Sequence, residues 1–201
     1  MKPMRVSTMN TITGVLAIIA AVVAVLLIAA RLINSASTRR LLDRIVPIRL
    51  WLAFLVAGAA TAGSLWYSES ADFEPCRFCW FQRIFMYSLA VILLIAALRK
   101  DHKVTWYAVP LGGIGLLISV YHNLLEHNPH WESTSCQAST PCATPYFKQW
   151  GWLTLAGMAL AGFAAILAIL LSTARSAASA PIDLARIDRA VIDTTLDEEV
   201  R

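Results

Sequence analysis

The chain has 201 residues, 58% of them hydrophobic, well above the roughly 45–50% of soluble domains. Its charges cluster in short stretches between long apolar runs, which excludes an ordinary soluble core and indicates a membrane protein. The net charge of +4 does not indicate a nucleic-acid partner, because most basic residues flank apolar runs and there serve to orient helices.

Residues 11–30 carry no charge and are long enough to cross a bilayer, which takes about 20 residues. A signal peptide competes, because Asn34-Ser35-Ala36-Ser37 is small and polar. The run is too long for an h-region of roughly 7–15 residues, and cleavage would leave a basic segment on the exported side. An uncleaved helix is therefore expected. Arg31, Arg39, Arg40, Arg44 and Arg49 follow, and the positive-inside rule assigns them to the cytoplasm. Residues 50–68 form a second uncharged run, with small residues Ala57, Ala60, Thr61 and Ser64 suited to close helix approach. Trp66 and Tyr67 are expected to mark its outer interface.

The next stretch, Glu74-Pro75-Cys76-Arg77-Phe78-Cys79-Trp80-Phe81-Gln82-Arg83, opens the third apolar run. The uncharged part, 84–98, is short for a bilayer. Extending it back through Trp80 gives a normal span and sets Gln82 and Arg83 inside the membrane's outer edge. A charge there marks a functional site by default, with snorkelling to headgroups as the plain alternative. Cys79 and Arg83 are four residues apart, so in a helix they share one face. A cysteine near a helix N-terminus and an Arg is drawn toward thiolate. The aromatic residues Trp80, Phe81, Phe85 and Tyr87 are expected to anchor and pack.

Arg99-Lys100-Asp101-His102-Lys103 is a second cytoplasmic turn, and residues 104–121 return across the membrane with Gly112, Gly113 and Gly115 for tight contact. Residues 123–148 form a longer outer loop containing Cys136 and Cys142, with His122 just before it. His122 is a candidate proton relay or a plain interface residue. Glu126, His127 and His130 read as solvated. Residues 149–174 form the last span, with Trp150 and Trp152 at its outer edge and Gly157 and Gly162 for packing. The tail, 175–201, has four arginines and six acids, a net of −2, and Leu184, Ile187 and Val191 outline a short amphipathic helix. The expectation is five helices, with the N-terminus outside and both cysteine pairs on the non-cytoplasmic side.

The residues alone leave several uses for the cysteines. Both pairs could be structural disulfides, although a ring closed across two residues gains little chain entropy. Close pairs are more often redox sites. The four sulfurs, with His127 or His130, could instead bind zinc, but an oxidising compartment is a poor place for four thiolates. Trp80 after Cys79 excludes a haem attachment site.

The stretch from Pro75 to Tyr87, Pro-Cys-Arg-Phe-Cys-Trp-Phe-Gln-Arg-Ile-Phe-Met-Tyr, resembles the Cys-x-x-Cys-x-x-x-Arg motif of the disulfide bond formation protein B (DsbB) family, and most closely its BdbC branch. The close Cys136–Cys142 spacing and a final helix led by Trp150 are also similar to that branch. The resemblance covers about residues 47–171. It implies an all-α integral membrane protein with a four-helix transmembrane bundle core (46–174), preceded by one additional N-terminal transmembrane helix (1–45) and followed by a cytoplasmic tail (175–201). It implies a thiol oxidase of the bacterial plasma membrane that takes electrons from a DsbA-like thioredoxin-fold oxidase outside and passes them to a quinone, ubiquinone or menaquinone. By position, Cys76 and Cys79 are the quinone-proximal disulfide pair, with Cys79 meeting the quinone. Arg83 supports the quinone, Cys136 and Cys142 are the shuttle disulfide, and Cys136 is the sulfur the partner attacks. The extra helix and the short second cysteine loop depart from the best-known members. A vitamin K epoxide reductase-like enzyme is the runner-up, disfavoured because its active pair lies near a late helix. A structural or transport protein with stabilising disulfides is the non-enzymatic alternative.

Overall fold

The computed structural model describes residues 2–33, 35–132, 136 and 141–172. The expected tail helix around Leu184, Ile187 and Val191 lies outside the described residues. Among the described residues, six α-helices and three short 3-10 turns follow one another: α1 (Lys2–Ile33), α2 (Ala36–Ile45), α3 (Arg49–Glu69), α4 (Arg77–Arg99), α5 (Thr105–His127) and α6 (Leu155–Ser172). Five helical segments among the described residues are long and apolar enough to cross a membrane. They are four bundle helices (α3 to α6) plus α1, as expected. The short helix α2 in the basic connection was not expected. Its Leu41, Leu42 and Ile45 recur at helical spacing between arginines.

The helix ends follow local chemistry. Cys76, in an extended backbone conformation, caps α4, and its Sγ accepts from the Cys79 N–H at 3.3 Å. Lys100 ends the same helix in the left-handed region (φ 54°). Asp101 then accepts from the Lys103 N–H at 2.9 Å and starts the next turn. Two boundaries differ from the sequence reading. Helix α5 runs to His127, beyond the apolar run, so His122 and Glu126 belong to the helix. Helix α6 starts at Leu155 rather than at 149, because Gln149 and Leu153 pair as an isolated antiparallel bridge around Trp150 and Gly151, both at positive φ.

The core lies between α4, α5 and α6, where Leu89, Leu93, Phe163, Ile166 and Leu170 are completely buried. Apolar residues such as Val91, Ile95, Leu117 and Leu124 face outward, as a lipid-facing surface requires. Close approach depends on Gly115, where an added Cβ would lie 2.3 Å from Phe163 Cε1. Gly112 would meet Leu167 at 3.1 Å, whereas Gly113 faces open space, so only two of the three glycines serve packing. Gly115→Ala is expected to cost about 1–3 kcal/mol through overpacking. Thermal unfolding in detergent checks this, with Gly113→Ala as the matched control that leaves the midpoint unchanged.

Helix α1 runs parallel to α6. Its N-terminal part meets the cysteine-bearing end of the bundle, where Gln149 Nε2 donates to Thr11 Oγ1 at 3.2 Å. At the far end, Arg31 donates to the Leu171 carbonyl. The basic connection, with Arg40, Arg44 and Arg49, and the Arg99–Lys103 turn therefore share the end opposite the cysteines. That matches the expected orientation.

Candidate functional site

The site is built at one end of the bundle. Proline at position 75 holds the chain extended before α4, and Cys76 takes the cap position. Cys79 then falls in the first helical turn, with Arg83 one turn further on. Cys76 and Cys79 are free thiols whose sulfurs lie 2.7 Å apart. Cys136 and Cys142 are joined in a disulfide with a Cα–Cα distance of 6.0 Å. Cys142 is buried and Cys136 is partly accessible. Glu132 fixes this loop, its Oε1 accepting from the backbone N–H groups of Cys142 at 2.5 Å and Ala143 at 3.2 Å.

The two pairs meet. Cys76, Leu125, Cys142 and Ala143 form one buried cluster, with Phe78, Cys79 and Cys136 packed against it. His122 sits between the pairs, its Nε2 3.7 Å from Cys76 Sγ and 3.1 Å from the Cys142 carbonyl. It is only 3% exposed, so the interface reading of this residue gives way to a buried bridge. Its Nδ1 has no hydrogen-bond partner among the described residues. Glu126, read from sequence as solvated, is half-buried one turn beyond His122 and accepts from Thr154 Oγ1 at 2.6 Å. A polar contact from the residue just before α6 secures it. His127 and His130 remain exposed, as expected.

Zinc binding by all four cysteines does not fit this arrangement. Among the described residues, Cys76 and Cys79 group with His122, while Cys136 and Cys142 group with Glu132. Cys136 and Cys142 are spent on their disulfide. His127 and His130 join neither group, and His127 Nδ1 lies 2.8 Å from the Asn123 carbonyl.

The Cys76 thiol is pulled down from its ordinary value to about 5. The main cause is the hydrogen bond from Cys79, and His122 adds a hydrogen bond and its charge. The sequence had placed the stabilised thiolate at Cys79. The structure favours Cys76 because the cap position turns its sulfur toward the backbone N–H of Cys79 and the His122 ring. A thiolate held this way stabilises the dithiol state and makes the pair more oxidising. Because the folded pKa is depressed, this stability is full above the unfolded value, near pH 9, and is lost as pH falls through 5. The unfolding midpoint of reduced native protein, minus that of Cys76→Ser, is expected to rise between those limits. A flat difference would contradict the assignment.

Arg83 donates from Nε to Ser64 Oγ at 3.0 Å, and from Nη2 to the Ser64 carbonyl at 3.0 Å and to Ser68 Oγ. Its guanidinium carbon lies 5.5 Å from the Trp80 ring centroid. It is therefore clamped to α3 rather than extended to the headgroups. Gln82 is buried and donates to Ser119 Oγ at 3.1 Å.

Arg83 and Cys79 line the polar end of a cavity of about 600 Å³. The walls come from α1, α3, α4 and α6 and are almost wholly apolar, with Met86, Phe163 and Ile169 among them. Phe73, Pro75 and Tyr146 add lining from the loops at the cysteine-bearing end. Phe73 stacks on Tyr67 at 5.6 Å and on Tyr146 at 4.6 Å, and Tyr146 donates to the Glu74 carbonyl. Tyr67 is thus a buried cavity wall, 3% exposed, and not the interface anchor expected from its position.

Comparison with known proteins agrees with this picture. The family described as "Disulfide bond formation protein DsbB" matches residues 47–173. A "Probable disulfide formation protein" of Deinococcus radiodurans is 45% identical over 132 residues, covering 61% of this chain and 86% of the relative. "Disulfide bond formation protein C" of Bacillus subtilis is 38% identical over 119 residues, covering 59% and 86%. A "Probable disulfide formation protein C 1" of Bacillus anthracis is 37% identical over 118 residues, covering 58% and 85%. No solved structure matches. The vitamin K epoxide reductase-like and non-enzymatic readings both yield to this agreement of sequence, helix order and cysteine placement. The chain is a multi-pass membrane thiol oxidoreductase and belongs to the DsbB family of disulfide bond formation proteins, in its BdbC-type branch.

Proposed function

We propose that the protein reoxidises a thioredoxin-fold dithiol oxidase outside the membrane and delivers the electrons to a membrane quinone. The observation that carries this reading is the packing of the two cysteine pairs around His122, with Cys79 opening onto an apolar cavity beside Arg83.

In this scheme Cys76 and Cys79 begin as a disulfide. A partner thiolate attacks Cys136, the accessible sulfur of its pair, and Cys142 leaves as thiolate. Cys142 attacks Cys76, joining the two pairs and releasing Cys79 as thiolate beside the cavity. The partner's second thiolate attacks its own mixed disulfide and frees Cys136. Cys136 then attacks Cys142, which restores their disulfide and releases Cys76. Each exchange forms one S–S bond and breaks one, so two electrons end on Cys76 and Cys79. His122, within reach of Cys76, stabilises that sulfur as it leaves.

The residues present fit a quinone. The cavity is long and apolar with polar groups at one end, which suits a ring on an isoprenoid tail. When bound, a quinone supplies an acceptor for two electrons and two protons, and Cys76–Cys79 closes again. Arg83 holds positive charge where the ring oxygens would gain negative charge. The test uses purified protein in detergent, a reduced thioredoxin-fold oxidase and a soluble quinone followed optically. One quinone reduced per partner disulfide formed is expected. Folded protein that exchanges thiols but reduces no quinone would overturn the reading.

A further inference from the structure

Resting on the quinone reading, we propose that α1 forms the lipid-side wall of the quinone pocket, with Thr13 positioning Tyr67 at its ring end. The family match begins at residue 47, so nothing in that match assigns a role to this helix. Thr13, Leu16, Ala17, Ala20 and Val23 all line the cavity. Their spacing places them on one face of α1. From Thr13 to Val23 the face is about 15 Å long, at about 1.5 Å per residue.

The helix is fixed in place by packing. Ala17, Ala24 and Leu27 are buried. Gly14 lets the Trp150 ring approach, since a Cβ there would lie 3.0 Å from it. At the ring end, Tyr67 Oη donates to Asn10 Oδ1 at 2.9 Å and lies 2.8 Å from Thr13 Oγ1. Asn10 and Tyr67 are both buried. Tyr67 is one turn beyond Ser64, which receives Arg83, so the α1 contacts and the Arg83 clamp act on adjacent turns of α3.

Leu16 and Ile19 keep about half of their surface uncovered although they line the cavity, at 49% and 53%. An elongated apolar occupant lying along this face would cover that surface. Without α1 the space between α3 and α6 would be an open groove toward lipid. With α1 it becomes a slot that selects for tail as well as ring.

The experiment uses full-length Ala20→Trp, Thr13→Val and, as a control outside the cavity lining, Val25→Trp. Each is assayed for the KM of tailed and tail-less quinones, for the rise in melting temperature on adding quinone, and for quinone-free exchange with the reduced partner. Ala20→Trp is expected to raise the KM for the tailed quinone at least about tenfold through overpacking, with a smaller rise for the tail-less one. Its quinone-induced melting shift should shrink accordingly. Thr13→Val, nearly isosteric, should raise KM for both quinones about fivefold, the scale of one lost hydrogen bond. Val25→Trp should match native protein, and exchange with the partner should be unchanged throughout. Native KM and melting shift in both cavity variants would overturn the role of α1 and leave the quinone reading standing. Native protein that exchanges thiols yet neither reduces nor is stabilised by any quinone would overturn both.

Discussion

Cys79→Ser is expected to abolish quinone reduction, with turnover falling roughly 10⁴-fold or more, as for loss of an essential nucleophile. Cys79 is the cysteine of its pair that lines the cavity, while Cys76 is turned toward His122 and the second pair. Without Cys79 the inner disulfide cannot form, so electrons arriving at Cys136 and Cys142 have no onward path. One partner molecule would be oxidised per enzyme, and the reaction would then stop. Serine is close in size and keeps the first turn of α4, so the melting temperature should move little. Stopped-flow quinone absorbance and partner alkylation measure both halves. Residual turnover within tenfold of native would contradict the assigned order of the cysteines.

The second large effect is expected at Arg83. Arg83→Ala should raise the quinone KM about 10–100-fold, the scale of losing a hydrogen bond to a charged group, and leave partner exchange unchanged. The same change removes the donor that Ser64 and Ser68 share, so a lower melting temperature should accompany it. Arg83→Lys keeps the charge but not the planar fork that reaches both serines, and it should fall between the two. This graded series separates charge from geometry. An unchanged KM in Arg83→Ala would confine the residue to tying α4 to α3.

Much of the site was legible in the sequence for clear physical reasons. A bilayer demands long uncharged runs, so the five spans could be counted from charge alone. The Cys79–Arg83 spacing follows helical geometry, and the depth of Arg83 could be inferred from the shortness of the run after it. What was missed depends on contacts between distant segments. His122 read as a residue at the membrane interface and Glu126 as a loop residue, because α5 continues past its apolar stretch. Only the fold brings Cys142 and Thr154 against them. Tyr67 resembled an interface anchor because aromatic residues at span ends usually are, yet α1 covers it with Asn10 and Thr13. Polar residues inside α1, an otherwise apolar helix, were the available signal. The sequence reading considered activation only at Cys79, through Arg83, whereas the contacts of Cys76 come from its cap position and from His122 on α5.

The central claim is that electrons pass from the outer pair to the inner pair. The direct measurement mixes quinone-free, fully oxidised protein with one equivalent of reduced partner, quenches with an alkylating reagent and maps the modified cysteines by mass spectrometry. The account predicts label on Cys76 and Cys79, an intact Cys136–Cys142 disulfide, and a transient Cys76–Cys142 species at early times. Label that stays on Cys136 and Cys142 at equilibrium, with Cys76 and Cys79 still joined, would contradict it.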